Sequence, residues 1–179
     1  MHALAGPYLA SAVLLVVAGS GKLRDPLPLV RALRSVRLAA GVRTVRVLAT
    51  AEVLLGTAAV WAGSRLTALL VALSYLAFSA LVVLARSVGG VLASCGCFGR
   101  ADTPPTTLHV VVTAGFAAVA AAVAVRPLGA LPDVLAAGPA AGLPLLLAAG
   151  AVGTTAYLVL ALLPALLAPL RVPTTRTGR

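Results

Sequence analysis

The chain has two cysteines, and they stand two positions apart in Cys95-Gly96-Cys97. Two thiols at that spacing suit three kinds of chemistry. A disulfide needs Cα atoms about 5–6 Å apart, which this spacing reaches only if the backbone bends. Gly96, with Gly99 just after, permits the bend. So small a ring constrains the unfolded chain very little, so stabilisation is a poor reason for it. A strained, accessible disulfide is reducible and fits thiol–disulfide exchange. Arg86, Arg100 and a neighbouring Lys22 would favour the thiolate. Alternatively, the two thiolates and His109, twelve residues beyond Cys97, could hold a soft ion such as Cu(I), Zn or Hg. A closed zinc site wants four ligands, and here there are two good ones and one histidine. The third reading, two cysteines that merely pack, suits a buried segment better than this Gly-rich polar one.

Glu52 is the one acidic residue inside an apolar run. Burial there costs a few kcal/mol unless it is paired, protonated or facing a cavity. Lys22, Arg24 and Arg46 are its candidate partners. Either Glu52 locks two helices as an ion pair, or it gives and takes protons beside the thiols. Gly56, one helical turn later, leaves room for a neighbouring helix or a ligand. His109 opens a later run and reads more simply as a helix-start polar residue than as a ligand.

These residues must be positioned by membrane helices. Apolar residues make up 61% of the 179 and charged residues 10%, against roughly 45–50% and about 25% in soluble domains. The excess of Ala, Leu and Val suits closely packed membrane helices. The net charge of +10 sits between and after the apolar runs, where it meets lipid headgroups rather than nucleic acid. Five spans are expected, at 3–21, 47–64, 66–85, 108–125 and 143–170, each long enough to cross ~30 Å of hydrocarbon. The first reads as a retained helix, because Met1-His2 is too short for the basic start of a signal peptide. Ala114, Ala118 and Ala122 form a small-residue stripe expected to be a helix–helix seam. The tail 171–179 is basic and expected to be disordered.

Residues 22–46 carry seven Lys or Arg and one Asp. Leu29, Leu33, Val36 and Ala40 fall on one helical face, with Arg31, Arg34 and Arg37 mainly opposite. After Pro26 and Pro28 this reads as a short amphipathic helix in the headgroup plane. Connectivity puts Lys22, Arg24, Asp25, Glu52, Cys95, Cys97 and His109 at one membrane face. Twelve of the fourteen basic residues share that side, and Arg65 and Arg126 take the other. The positive-inside rule then favours an outer amino terminus and a cytoplasmic Cys pair.

Ser20-Gly21-Lys22-Leu23-Arg24-Asp25, Glu52 with Gly56, and Cys95-Gly96-Cys97-Phe98-Gly99 resemble the methylamine-utilisation MauE family, akin to DoxX-like membrane proteins. The likeness runs over roughly residues 4–125. It implies an all-α bundle: a four-helix core over 1–125, a connection and fifth helix over 126–170, and the tail. It also implies thiol–disulfide chemistry on the outer side of a cell inner membrane. Family members are associated with maturing the disulfide-rich small subunit of methylamine dehydrogenase, hence with methylamine metabolism. Carried over by position, Cys95 and Cys97 are the redox pair, and Lys22, Asp25 and Glu52 are motif positions. The expected function is a thiol–disulfide oxidoreductase acting with a thioredoxin-like protein or a disulfide-containing client. A quinone is a conceivable electron acceptor. A soft-metal carrier or sensor and a non-catalytic assembly factor are the alternatives.

Overall fold

Runs of Ala, Leu and Val with almost no charge leave the backbone one way to satisfy its polar groups in lipid, which is to hydrogen-bond within helices. The computed structural model describes residues 4–87, 106–128, 131–136 and 138–162, and these are helical with short joints. In order they are α1 (Ala5–Arg24), α2 (Leu27–Ser35), α3 (Val42–Ala62), α4 (Arg65–Ser87), α5 (Thr107–Val125), α6 (Leu131–Ala136) and α7 (Pro139–Tyr157), which runs on as a π-helical turn over Leu158–Leu162. Five of these helices are long and apolar enough to cross a membrane: α1, α3, α4, α5 and the stretch Gly142–Leu160. Leu54, Trp61, Leu73, Val111 and Leu147 are each more than half exposed. That outer surface suits a lipid solvent. The protein is an all-α, multi-pass membrane bundle.

The bundle is built from two helix pairs. α1 packs most closely on α3, α4 on α5, and α7 on α1. Within α1/α3, residue 12 lies against 56 and residue 19 against 49, so the helices are antiparallel. Gly19 and Gly56 make the seam close: a Cβ at Gly56 would lie 2.6 Å from the Ala12 carbonyl oxygen, and one at Gly19 2.8 Å from that of Ala49. Helix α7 runs parallel to α1, with Gly6 against Ala148 and Gly153 against Ala10. A core of Tyr8, Leu14, Leu15, Val71, Tyr75 and Phe116 joins the pairs.

Several expected boundaries move. The second span starts five residues earlier than expected, at Val42. The α3–α4 turn is Gly63-Ser64, where Gly63 takes φ 50° and the Ser64 hydroxyl accepts the Thr67 N–H at 3.2 Å, so Arg65 is already helical. The amphipathic helix stops at Ser35 rather than continuing to Ala40. Val36 and Ala40 are buried but lie beyond it, because Arg37 turns the chain with φ 63°. Its apolar face meets protein: Leu29 and Val30 pack with Val45, Val42 and Leu81. The stripe Ala114, Ala118, Ala122 is exposed; the buried face of α5 is His109, Thr113, Phe116, Ala117, Ala120, Val123 and Ala124. The stretch 163–170 and the tail lie outside the described residues.

Candidate functional site

The chain has a single lysine, and it is one of the most deeply buried side chains. Lys22 lies in the last turn of α1 and is 1% exposed. Its Nζ donates to both carboxylate oxygens of Glu52 on α3, at 2.8 and 2.6 Å. The glycine seam makes this reach possible, since Gly19 sits one turn before Lys22 and packs against Ala49, Glu52 and Val53. From the other helix pair, Phe78 of α4 turns its ring face to the ammonium, 4.3 Å from Nζ to the ring centroid. A ring face is electron-rich and attracts a cation most strongly where water is absent. Among the described residues this is the one salt bridge.

Polar contacts continue between the two pairs and within the second. The Tyr75 hydroxyl donates to the Ser11 carbonyl at 2.7 Å, tying α4 to α1. Tyr75 also stacks obliquely on Phe116 at 5.3 Å and edge-on to Phe78 at 5.7 Å. The Ser79 and Thr113 hydroxyls meet at 2.7 Å between α4 and α5. At the same end, Arg86 donates to the Thr107 hydroxyl at 3.0 Å. At the opposite end, Arg65 Nε donates to the Ala124 carbonyl at 3.1 Å and covers the carboxyl end of α5. The α4/α5 pair is thus fastened at both ends.

His109 is 2% exposed and is spoken for. Its Nδ1 accepts from the Thr106 hydroxyl at 2.8 Å and from the Thr106 N–H at 3.4 Å, closing a capping box at the start of α5. Helix α5 also touches the π turn, with the Leu160 backbone near the ring. With Nδ1 accepting, the donor is Nε2–H, the neutral tautomer.

Of the residues expected at one face, the structure brings Lys22 and Glu52 into contact and leaves others apart. Arg24 and Arg46, the alternative partners of Glu52, are exposed. Asp25 is exposed too, and its Oδ1 accepts the Leu27 N–H at 3.2 Å, opening α2. Gly56 leaves no free space, because α1 fills it. Cys95 and Cys97 lie outside the described residues. Among the described residues no three His, Cys, Asp or Glu side chains gather as metal ligands. Sequence reading missed Tyr75, Phe78, Ser79 and Thr113. Ser79 and Thr113 carried a faint signal as isolated hydroxyls in apolar runs.

A bidentate lysine–carboxylate pair of this kind can hold two helices in register, and it can exchange a proton between Nζ and the carboxylate. The sequence model of the methylamine utilisation protein MauE family matches residues 2–127. The chain belongs to the MauE family. The match takes in α1 to α5, so both helix pairs and the Lys22–Glu52 pair are family territory, whereas α7 lies beyond it. No curated protein and no solved structure matches the chain.

Proposed function

We propose that this MauE-family protein is an inner-membrane thiol–disulfide redox protein in which Cys95 and Cys97 form the exchanging pair. The observation that carries the reading is the fastened α4/α5 pair. The helices flanking the Cys-Gly-Cys segment are joined to each other by Arg86–Thr107 and Ser79–Thr113. The residues that bound that segment, Ser87 and Thr106, therefore stand at one end of a braced hairpin, which suits an exchange site carried on a firm base.

In the forward step a client thiolate attacks the Cys95–Cys97 disulfide, its S–S bond breaks and a mixed disulfide forms. The second client thiolate then displaces the bound cysteine. The client gains a disulfide, and Cys95 and Cys97 are left as thiols holding two electrons and two protons. A bilayer quinone, as the oxidant, would take both electrons and both protons when the pair reoxidises. The open groove between α5 and α7, lined by Val112, Phe116, Val152, Thr155 and Val159, would give such a quinone an apolar surface and the Thr155 hydroxyl as a polar contact. In this reading Lys22 and Glu52 are the proton-exchanging element within the bundle. The client is an exported disulfide-rich protein, such as the small subunit of methylamine dehydrogenase, or a thioredoxin-like protein acting for it.

The reading needs the Cys pair to face outward, against the arginine count. Thiol trapping in intact cells with a membrane-impermeant maleimide mass tag tests it. Tagging of Cys95 and Cys97 only after an impermeant reductant is the expected result. Tagging that waits for lysis, with both thiols already reduced, overturns it.

A further inference from the structure

Helix α2 has spent its apolar face on the bundle, with Leu29 and Val30 buried against Val45 and Leu81 alongside. What remains turned outward is a concentration of arginine. Arg24, Arg31, Arg34, Arg37, Arg43 and Arg46 are all exposed. Among the described residues none has a carboxylate partner, since the one salt bridge is Lys22–Glu52. Asp25, the acid in their midst, has one oxygen engaged by the Leu27 N–H. Two leucines bracket Arg31, Arg34 and Arg37 in sequence. Leu27 at the start of α2 is 48% exposed and Leu38 past its end is 47% exposed.

The turn after α2 is held in a form that a relaxed chain would give to another residue. The Leu38 N–H donates to the Leu33 carbonyl at 2.9 Å and the Arg37 N–H to the Arg34 carbonyl at 3.0 Å, which closes a Schellman-type cap. The residue at its centre takes φ 63°, where glycine is favoured and a side chain is disfavoured. Here it is an arginine. Arg34 Nε donates to the Ala40 carbonyl at 3.2 Å and draws the following strand of chain back over the helix end. The side chains of Arg31 and Arg37 have no partner among the described residues and stand at the surface on a support made stiff by hydrogen bonds.

We propose that the surface formed by α2 and the turn after it binds anionic phospholipid headgroups. The Arg31 and Arg37 guanidiniums take the phosphates, and Leu27 and Leu38 enter the acyl region beside them. The guanidinium fork matches phosphate oxygens two at a time. The surface lies at the ends of α1 and α3, at headgroup depth for helices of this length. Exposed leucines beside arginines are the pattern of an interfacial amphipathic segment.

The test is thermal unfolding of the full chain in detergent micelles carrying either phosphatidylglycerol or phosphatidylcholine. Phosphatidylglycerol should raise the midpoint of the wild type more than phosphatidylcholine does. Each arginine removed should weaken the apparent affinity for phosphatidylglycerol about fivefold, so the pair R31Q/R37G should lose about 25-fold. R37G relieves the backbone, so its midpoint in phosphatidylcholine alone should equal or exceed the wild type's. That keeps a loss of lipid response separate from a loss of fold. R126Q, at the other end of the bundle, should respond as the wild type does. Equal stabilisation of the wild type by both lipids overturns the proposal and leaves the arginines to topology or an acidic protein. So does an unchanged phosphatidylglycerol response in R31Q/R37G.

Discussion

Replacing Glu52 with glutamine removes one charge from a pair whose other member is 1% exposed. Removing one partner of a buried ion pair generally costs ~3–5 kcal/mol, because the survivor stays charged and unsolvated. Two features of this site reduce that. Glutamine keeps one oxygen for the ammonium, and a net hydrogen bond is worth about 1 kcal/mol. The Phe78 ring, 4.3 Å from Nζ, still faces the cation. The expected loss is therefore about 2–4 kcal/mol. Lys22→Met should cost less, about 1–3 kcal/mol, because Glu52 is the less buried partner at 12% exposure. The double variant K22M/E52L leaves no charge behind and should fall within about 1 kcal/mol of the wild type. The assay is unfolding in mixed micelles titrated with sodium dodecyl sulfate and followed by circular dichroism. The two single losses should exceed the double loss by about 2 kcal/mol or more. The reasoning is refuted if E52Q costs less than about 1 kcal/mol. It is refuted equally if the double variant loses the sum of the two singles.

Two further outcomes follow from the packing. Gly56→Ala should destabilise by about 1–3 kcal/mol, because its methyl meets the Ala12 carbonyl at 2.6 Å and the atom in the way is backbone. Gly115→Ala has open space around it and should be neutral or stabilising by up to about 1 kcal/mol; the same titration measures both. His109→Phe fills the site but removes the bonds to Thr106 that cap α5. Amide hydrogen exchange over the first turn of α5 should then quicken by roughly tenfold, as loss of about 1–1.5 kcal/mol of local protection implies. Unchanged exchange there would mean that α5 begins as firmly without its capping box.

The five spans were legible because a membrane helix announces itself by length and lack of charge, and neither depends on its neighbours. Which face of a span turns inward was not legible. In α5 nearly every residue is apolar, so Ala114, Ala118 and Ala122 looked like a seam, yet Thr113, Phe116 and Ala120 are the buried ones. The polar residues His109 and Thr113 marked the inner face better than the small ones did. This reverses the habit of soluble helices, because here the outside is lipid. The need of Glu52 for a partner could be read from its type and place. Spacing could not choose between Lys22 and Arg24, since both stand at the end of α1 and only the depth of α1 against α3 separates them, whereas Arg46 lies six residues before Glu52 on α3 itself and so on another face. The end of α2 was misjudged because an arginine stands at φ 63° where a glycine would have signalled the stop.

The 30 residues that separate Lys22 from Glu52 also set a sequence of events at synthesis. A ribosome adding ~5–20 residues per second makes Glu52 about 2–6 s after Lys22. For that interval the first helix carries an ammonium without its carboxylate, at the end of an otherwise uncharged segment. The long lysine side chain can hold its charge at the headgroups meanwhile. When α3 inserts, the ammonium is drawn inward and the first hairpin closes. The pair α4/α5 forms from neighbouring segments of the chain in the same way. Helix α7 comes last, yet its seat is on α1, so the first helix made waits with one flank open until the final span arrives.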